Sequence, residues 1–412
     1  MAEFRILSLD GGGSWSLIQV KTLIDLYSKA GDGSDILGHE LLRKFDLTVA
    51  NSAGSLVLGA LIKNLSLKET LDYFIDAEKR DKVFVEYSLG QKLLISVLHV
   101  VGIGPNYITE EKYSGLETIL GDAGAQAVTM IPRYVGPGDR GRPTNVLICA
   151  FDYDIKRGVF FRSDVQSLAA SFGPNVDITV VQAIHASTTA PVSFFAAPAA
   201  GPEGRQYWDG AVGGYNNPVL AGVIEVIANL ERYQTDRESI KVLSLGTGSI
   251  VLPRARPGGD DDPCLVVPPG RWSVLEDLDK LATSILDDPP DAATFHSHVL
   301  LGCPLPSPGT ALPARSRIVR FNPLVQPVRS SLNARWDFPP HMSRDEFCAI
   351  KDIDMVTMKQ SDIDRITDFC NRWLRNDIPN QPIRANGATL EPEIGPDRYA
   401  AAKAEWKELF FD

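Results

Sequence analysis

The sequence predicts an α/β fold built on a mostly parallel sheet, and two observations carry this. Short apolar strands alternate with helices in the order strand, helix, strand, helix between residues 4 and 62, which favours parallel pairing through right-handed crossovers. Turns containing Gly, Ser and Asp then close the carboxyl ends of several strands, where open parallel sheets build their sites. With 412 residues, 44% hydrophobic and 23% charged, the chain can bury a large core without a metal or disulfide to hold it.

Taken in order, residues 4–9 read as a strand: short, apolar and stopped by three glycines. A helix follows, with Leu17, Val20, Leu23, Ile24 and Tyr27 on one face. Residues 45–50 form the second strand, and Leu56, Ala60 and Ile62 mark the second helix. A helical stretch at 68–79 precedes a looser region. Strands at 146–152 and 158–162 then flank a turn at Asp154-Ile155-Lys156-Arg157. Residues 180–190 read as helix, 206–211 as a strand and turn, and Asn217-Pro218 as a helix start with Pro in the first position. A late strand at 240–245 ends in Gly246-Thr247-Gly248.

The proline- and glycine-rich stretch 251–270 marks a surface connection or domain edge. This divides the chain into residues 1–250 and a mainly helical region, 251–412, packed on or completing the first. Within the second region, 273–286 reads as helix and 318–321 as a strand. Ser343-x-x-Glu346 and Ser361-x-x-Asp364 fit capping boxes. Ile363, Ile366, Cys370, Trp373 and Leu374 make an apolar stripe suited to core packing.

A net charge of −11 argues against nucleic-acid binding. It also repels anionic lipid surfaces, so any membrane contact is expected to be apolar and transient. The strongly apolar segment 89–103 reads as a buried helix or, failing that, a lid or docking segment. The five cysteines are odd in number and lack C-x-x-C spacing. They suggest neither a disulfide framework nor a zinc site, and are expected to be buried thiols. No basic n-region with an apolar h-region opens the chain, and no uncharged apolar run approaches ~18 residues. A soluble, cytoplasmic protein, at most peripheral to a membrane, is the expectation.

Three constellations carry chemistry. Asp10-Gly11-Gly12-Gly13 lies between the first strand and helix. Its amides and the helix N-terminus suit a phosphate or an ester oxyanion, although it would also serve as a plain tight turn. Ala50-Asn51-Ser52-Ala53-Gly54 resembles a G-x-S-x-G nucleophile elbow with Ala50 in place of the first glycine. Alone, Ser52 would read equally as a helix cap. Trp208-Asp209-Gly210-Ala211 places an acid at a strand end. Together these bring a nucleophile, a base and an oxyanion cradle to one crevice.

In these motifs the chain resembles the patatin-like phospholipase family. The matching stretches are LSLDGGG at 7–13, FDLTVANSAG at 45–54, WDGA at 208–211 with Asn216-Asn217-Pro218 after it, and LSLGTG at 243–248. Ala186-Ser187-Thr188-Thr189-Ala190-Pro191 with Phe194-Phe195 matches the family segment before the acid.

The resemblance implies a three-layer α/β fold and a Ser-Asp dyad that hydrolyses fatty-acyl esters of phospholipids or related glycerolipids. By the family pattern Ser52 attacks, Asp209 moves the proton, and the amides of Gly11, Gly12 and Gly13 hold the oxyanion. One such donor is worth roughly 3 kcal/mol. Ala50, Ala53, Gly54 and Gly210 shape the elbow and its surroundings. No cofactor or metal is implied, and no EF-hand loop is visible, so calcium independence is expected.

The chain departs from the pattern at Ser14-Trp15-Ser16, where the family has an arginine and a glycine, and at Ala50. Trp15 is expected to narrow or line the pocket. A Ser-Asp-His triad would instead need His296, His298 or His341, of which the first two read as a polar surface pair. A catalytically inactive lipid-binding or regulatory protein is the other alternative. Nucleotide binding is disfavoured, because Ser16 breaks the dinucleotide fingerprint and the P-loop lysine is missing. The oligomeric state is left open.

Overall fold

The computed structural model describes residues 3–28, 35–80, 108–164, 178–191, 195, 197–255, 261–267, 292–306, 313–329, 336–337, 342–386 and 390–411. The segments 89–103 and 273–286, and His341, lie outside the described residues.

Strand β1 (Phe4–Leu9) occupies the middle of a mostly parallel sheet. It pairs in parallel with β2 (Leu47–Ala50) on one side and with the late strand β7 (Ile240–Leu245) on the other. Beyond β2 lies β3 (Asn145–Asp152), also parallel. Beyond β7 lies β8 (Ile318–Phe321), parallel again. The 251–412 region therefore contributes a strand to the central sheet, as well as helices.

The alternation along β1 explains the layers. Phe4 and Ile6 point into one core with Leu47, Val49, Ile240 and Val242, covered by Val219, Val223 and Val226 of helix α6 (Val219–Ala228). Leu7 and Leu9 point to the opposite face, into the larger core. Helices α1 (Leu17–Tyr27), α2 (Ala53–Ile62), α3 (Leu67–Ile75), α4 (Thr109–Leu120) and α5 (Val180–Ser187) cover that face. A parallel sheet needs both faces buried, and here both are.

The C-terminal helices are α7 (Arg344–Lys351), α8 (Gln360–Leu374) and α9 (Tyr399–Phe411). The stripe Ile363, Ile366, Cys370 and Trp373 of α8 is fully buried in the larger core. At about 1.5–3 kcal/mol for each large apolar side chain, α8 is integral to the fold. Ser343 caps α7 in a capping box with Glu346, as expected. Ser361 does not cap α8. That helix begins one residue earlier, at Gln360 after Lys359, with no side-chain cap.

Other expectations are corrected. Cys264 and Cys348 form a disulfide across 84 residues of sequence, whereas Cys149, Cys303 and Cys370 are the buried thiols predicted. Pro218 takes the N-cap position of α6, with Val219 as its first helical residue. Helix α5 ends at Ser187, three residues short of the expected 190. His296 is exposed but His298 is buried, with Nδ1 on Ser316 Oγ at 2.9 Å and Nε2 on the Pro304 carbonyl at 3.0 Å. It is held there as a structural histidine, not as half of a surface pair.

Candidate active site

Asp209 reaches the carboxyl edge of the sheet by a route the sequence did not suggest. Strand β6 (Gln206–Asp209) runs antiparallel to the short β5 (Ala199–Ala200) and to β3, pairing Tyr207 with Asp152 and Asp209 with Ala150. The hairpin partner β4 (Arg157–Arg162) occupies one edge of β3 along 147–152. On the other edge β2 pairs up to Ala50–Ile148, so β6 continues that edge from Ala150. The two strands meet head-on, with Ala50 and Asp209 only two β3 residues apart, roughly 7 Å at strand rise. An antiparallel strand would normally deliver its last residue to the far edge. This one stops as soon as it enters the sheet.

Ser52 stands where β2 gives way to α2, at φ 50° and ψ −129°. A non-glycine residue at positive φ is strained, and this is the signature expected of an elbow that lifts its side chain off the sheet. Neighbours enforce the turn. The Ser52 amide donates to Ser187 Oγ at 2.9 Å, and that hydroxyl also meets Ser55 Oγ at 2.9 Å. Gly54 has no room for a Cβ, which would lie 2.4 Å from the Leu9 carbonyl oxygen. Gly11 is equally constrained, since a Cβ there would fall 2.8 Å from Ser52 Cβ.

The Asp209 carboxylate is 2% exposed. Its Oδ1 accepts from the Asn51 side-chain amide at 3.0 Å and from the Ala211 N–H at 2.9 Å, and its own N–H donates to the Thr189 carbonyl at 2.7 Å. Burial pushes its proton affinity up. Hydrogen bonding with Ser52, Ala211 and Asn51, and then the charge on Lys112, pull the other way. The structure thus brings Ser52 and Asp209 together, with Asn51 as a bridge between elbow and acid. A narrow pocket is lined by Gly13, Ser52, Leu56, Phe195, Asp209 and Met355, among others.

The glycine turn lies across this pocket. The Gly11 N–H donates to the Asn216 carbonyl at 2.8 Å, and Ser14 N–H donates to the Met355 carbonyl at 2.9 Å. No hydrogen bond to the N–H of Gly12 or Gly13 forms among the described residues. Asp10 takes no part in the pocket: its carboxylate is ion-paired with Arg320 of β8 at 2.6 Å.

The Ser14-Trp15-Ser16 departure has a structural use. Ser14 Oγ donates to the Thr357 carbonyl and accepts from its N–H, both at 3.0 Å, and Trp15 packs edge-on against Phe369 of α8. Contrary to the expectation from the sequence, Trp15 does not line the pocket but packs against the C-terminal helix α8.

Sequence reasoning missed Lys112 of α4. It is fully buried, and its Nζ donates to the His185 carbonyl at 3.2 Å, Thr188 Oγ1 at 3.1 Å and Thr189 Oγ1 at 2.5 Å. It also lies 4.1 Å from the centre of the Phe195 ring. A single Lys among the helical residues 109–120 gives no pattern that would single it out.

Comparison with known proteins agrees with these motifs. No curated protein sequence matches the chain. Among solved structures, the crystal structure of VipD from Legionella pneumophila aligns with a TM-score of 0.32 and 11% identity, over 90% of this chain and 67% of that one. The family model described as patatin-like phospholipase matches residues 7–223. Because that match spans more than half of the sequence and includes the glycine turn, the serine elbow and the Trp208–Ala211 motif, the chain belongs to the patatin-like phospholipase family.

Proposed function

We propose that this protein is a lipid acyl hydrolase that cleaves fatty-acyl ester bonds of phospholipids or related glycerolipids through Ser52 and Asp209. The observation that carries the reading is the end-to-end meeting of β2 and β6, which sets a strained serine beside a buried carboxylate. A narrow apolar cleft, sharing Leu56 with the Ser52 pocket and walled by Ala60, Phe74, Leu116, Ile119 and Ile184, offers the acyl chain an apolar lining.

In this reading Ser52 Oγ attacks the acyl carbonyl as Asp209 takes its proton. The free amides of Gly12 and Gly13, at the start of the helical turn before α1, receive the oxyanion. Collapse breaks the ester C–O bond, Asp209 returns the proton to the leaving alcohol, and the acyl group stays on Ser52. Water then attacks with Asp209 again as base, releasing the fatty acid. A carboxylate whose proton affinity is raised by burial is a better base for a hydroxyl than a solvated one.

The test is fatty-acid release from mixed phospholipid vesicles with calcium chelated, comparing wild type with Ser52→Ala and Asp209→Asn. Release by wild type alone supports the reading. Equal release by either folded variant refutes the dyad. An inert, folded wild type removes phospholipid from the substrate class.

A further inference from the structure

Lys112 carries a buried amine that the proposed reaction does not use directly. Burying an ammonium without a partner costs several kcal/mol, and a position that needed only packing would hold an apolar side chain at no such cost. Instead, the three donors of Lys112 are matched by three neutral acceptors: the His185 carbonyl and the hydroxyls of Thr188 and Thr189. The Phe195 ring covers the remaining side. Thr188 and Phe195 also line the pocket that holds Ser52 and Asp209, whereas Lys112 stands behind them. The next link is the Thr189 carbonyl, which accepts the Asp209 N–H at 2.7 Å.

The other titratable groups around it carry no compensating charge. His185 on α5 is pushed down to about 2, by burial first and then by the Lys112 charge, and so is neutral. Tyr113, the next residue on α4, is raised by burial, and so is the Cys149 thiol on β3, with the Asp209 charge adding to the latter. Both stay protonated. Burial holds Lys112 itself well below the usual lysine range, and the Asp209 charge is what opposes that shift. Asp209 is the negative group that answers this cation.

We propose that Lys112 is the positioning residue of the Ser52–Asp209 pair: it ties α4 to the Thr188–Thr189 turn that holds Asp209, and supplies a buried positive charge on the far side of that turn from the carboxylate. This rests on the dyad reading above. The charge makes the reaction directional. When Asp209 takes the Ser52 proton, the Lys112 cation loses its counter-charge in a dry site. The proton is therefore driven on to the leaving oxygen as the ester C–O bond breaks and the Ser52 acyl bond remains.

The test uses the full chain as wild type, Lys112→Met and Lys112→Gln, each with and without Asp209→Asn. The first readout is the pH dependence, from pH 4.5 to 9, of Ser52 phosphonylation by a fluorophosphonate and of hydrolysis of a soluble p-nitrophenyl ester. Without the cation, Asp209 holds its proton more tightly, so the acid limb of both Lys112 variants moves upward by about one pH unit. A lower plateau with an unmoved limb overturns the proposal, because loss of packing alone would give that result.

The second readout needs no catalysis. In the unfolding equilibrium at pH 7.5, Lys112→Gln and Asp209→Asn should couple by about fivefold, and the coupling should shrink at pH 4 as Asp209 protonates. Additive effects at pH 7.5 overturn the proposal even in a protein inert towards both probes. A Ser52→Ala variant that hydrolyses like wild type would overturn the dyad but leave this coupling in place. If Lys112→Met does not fold, Lys112→Gln, which keeps two donors, carries both readouts.

Discussion

Asp10 and Asp209 are both buried aspartates at the carboxyl edge of one sheet, on either side of the Asn51–Ser52 elbow, yet their surroundings differ in kind. Asp10 faces the Arg320 guanidinium directly, and the same guanidinium donates to Ser244 Oγ at 2.9 Å. Asp209 faces neutral donors, with Lys112 set back behind the Thr188–Thr189 turn. A carboxylate locked to a buried guanidinium ties β8 to the turn after β1. One held by amides in a dry site keeps a raised proton affinity and can exchange a proton. The partners, not the residue type, set the two aspartates apart.

The largest expected effect lies on the Asp209 side. If the proposed dyad operates, Ser52→Ala and Asp209→Asn should each lower kcat for ester hydrolysis by about 10⁴-fold, on the scale of losing a catalytic group in serine hydrolases. A loss under tenfold in either would erase the contrast between the two acids.

The next effect lies on the Asp10 side. Arg320→Met removes the guanidinium paired with the buried Asp10 carboxylate and should destabilise the fold by about 3 kcal/mol, read from urea unfolding. A loss below 1 kcal/mol would mean that the ion pair does not join β8 to the rest of the sheet.

Stability should move the opposite way at Asp209. Burial raises its folded-state proton affinity above that of the unfolded chain. The stability it contributes is therefore full below the unfolded value of 3.8 and is lost as pH rises through the folded one. Asp209→Asn should then stabilise the protein at pH 7.5, on the order of 1 kcal/mol, with the gain vanishing below about pH 4. A destabilised variant at pH 7.5 would show that the Asn51 and Ala211 donors outweigh the burial cost.

The smallest effect is at the seam between the two halves of the sequence. Ser14→Ala removes two hydrogen bonds to Thr357 and should cost about 1 kcal/mol. Hydrogen exchange at residues 355–357 should quicken before any change at β1.

Much of this was legible in the sequence, and for local reasons. The strands β1, β2, β7 and β8 and the helices α1 and α2 follow from apolar runs and periodicity, and Ser343 caps α7 through a partner three residues away. The serine elbow follows from small residues at Ala50, Ala53 and Gly54, and at Gly54 the backbone of Leu9 and Asp10 leaves no space for a Cβ. What was misread depended on distant partners. Cys264 and Cys348 pair across 84 residues. His298 turns inward because Ser316 and Pro304 supply acceptors and donors for its ring. Trp15 is taken from the pocket by Phe369.

The sequence by itself determined which residues can do chemistry, because a nucleophile, an acid and glycine amides are matters of residue type and short spacing. The tertiary structure alone decided how they meet. The edge of β3 that β6 joins depends on which one is already filled by β4, and the identity of the buried charges beside Asp10 and Asp209 depends on β8 and α4, far away in the chain. Strand register and charge pairing are properties of packed surfaces, and no window of neighbouring residues contains them.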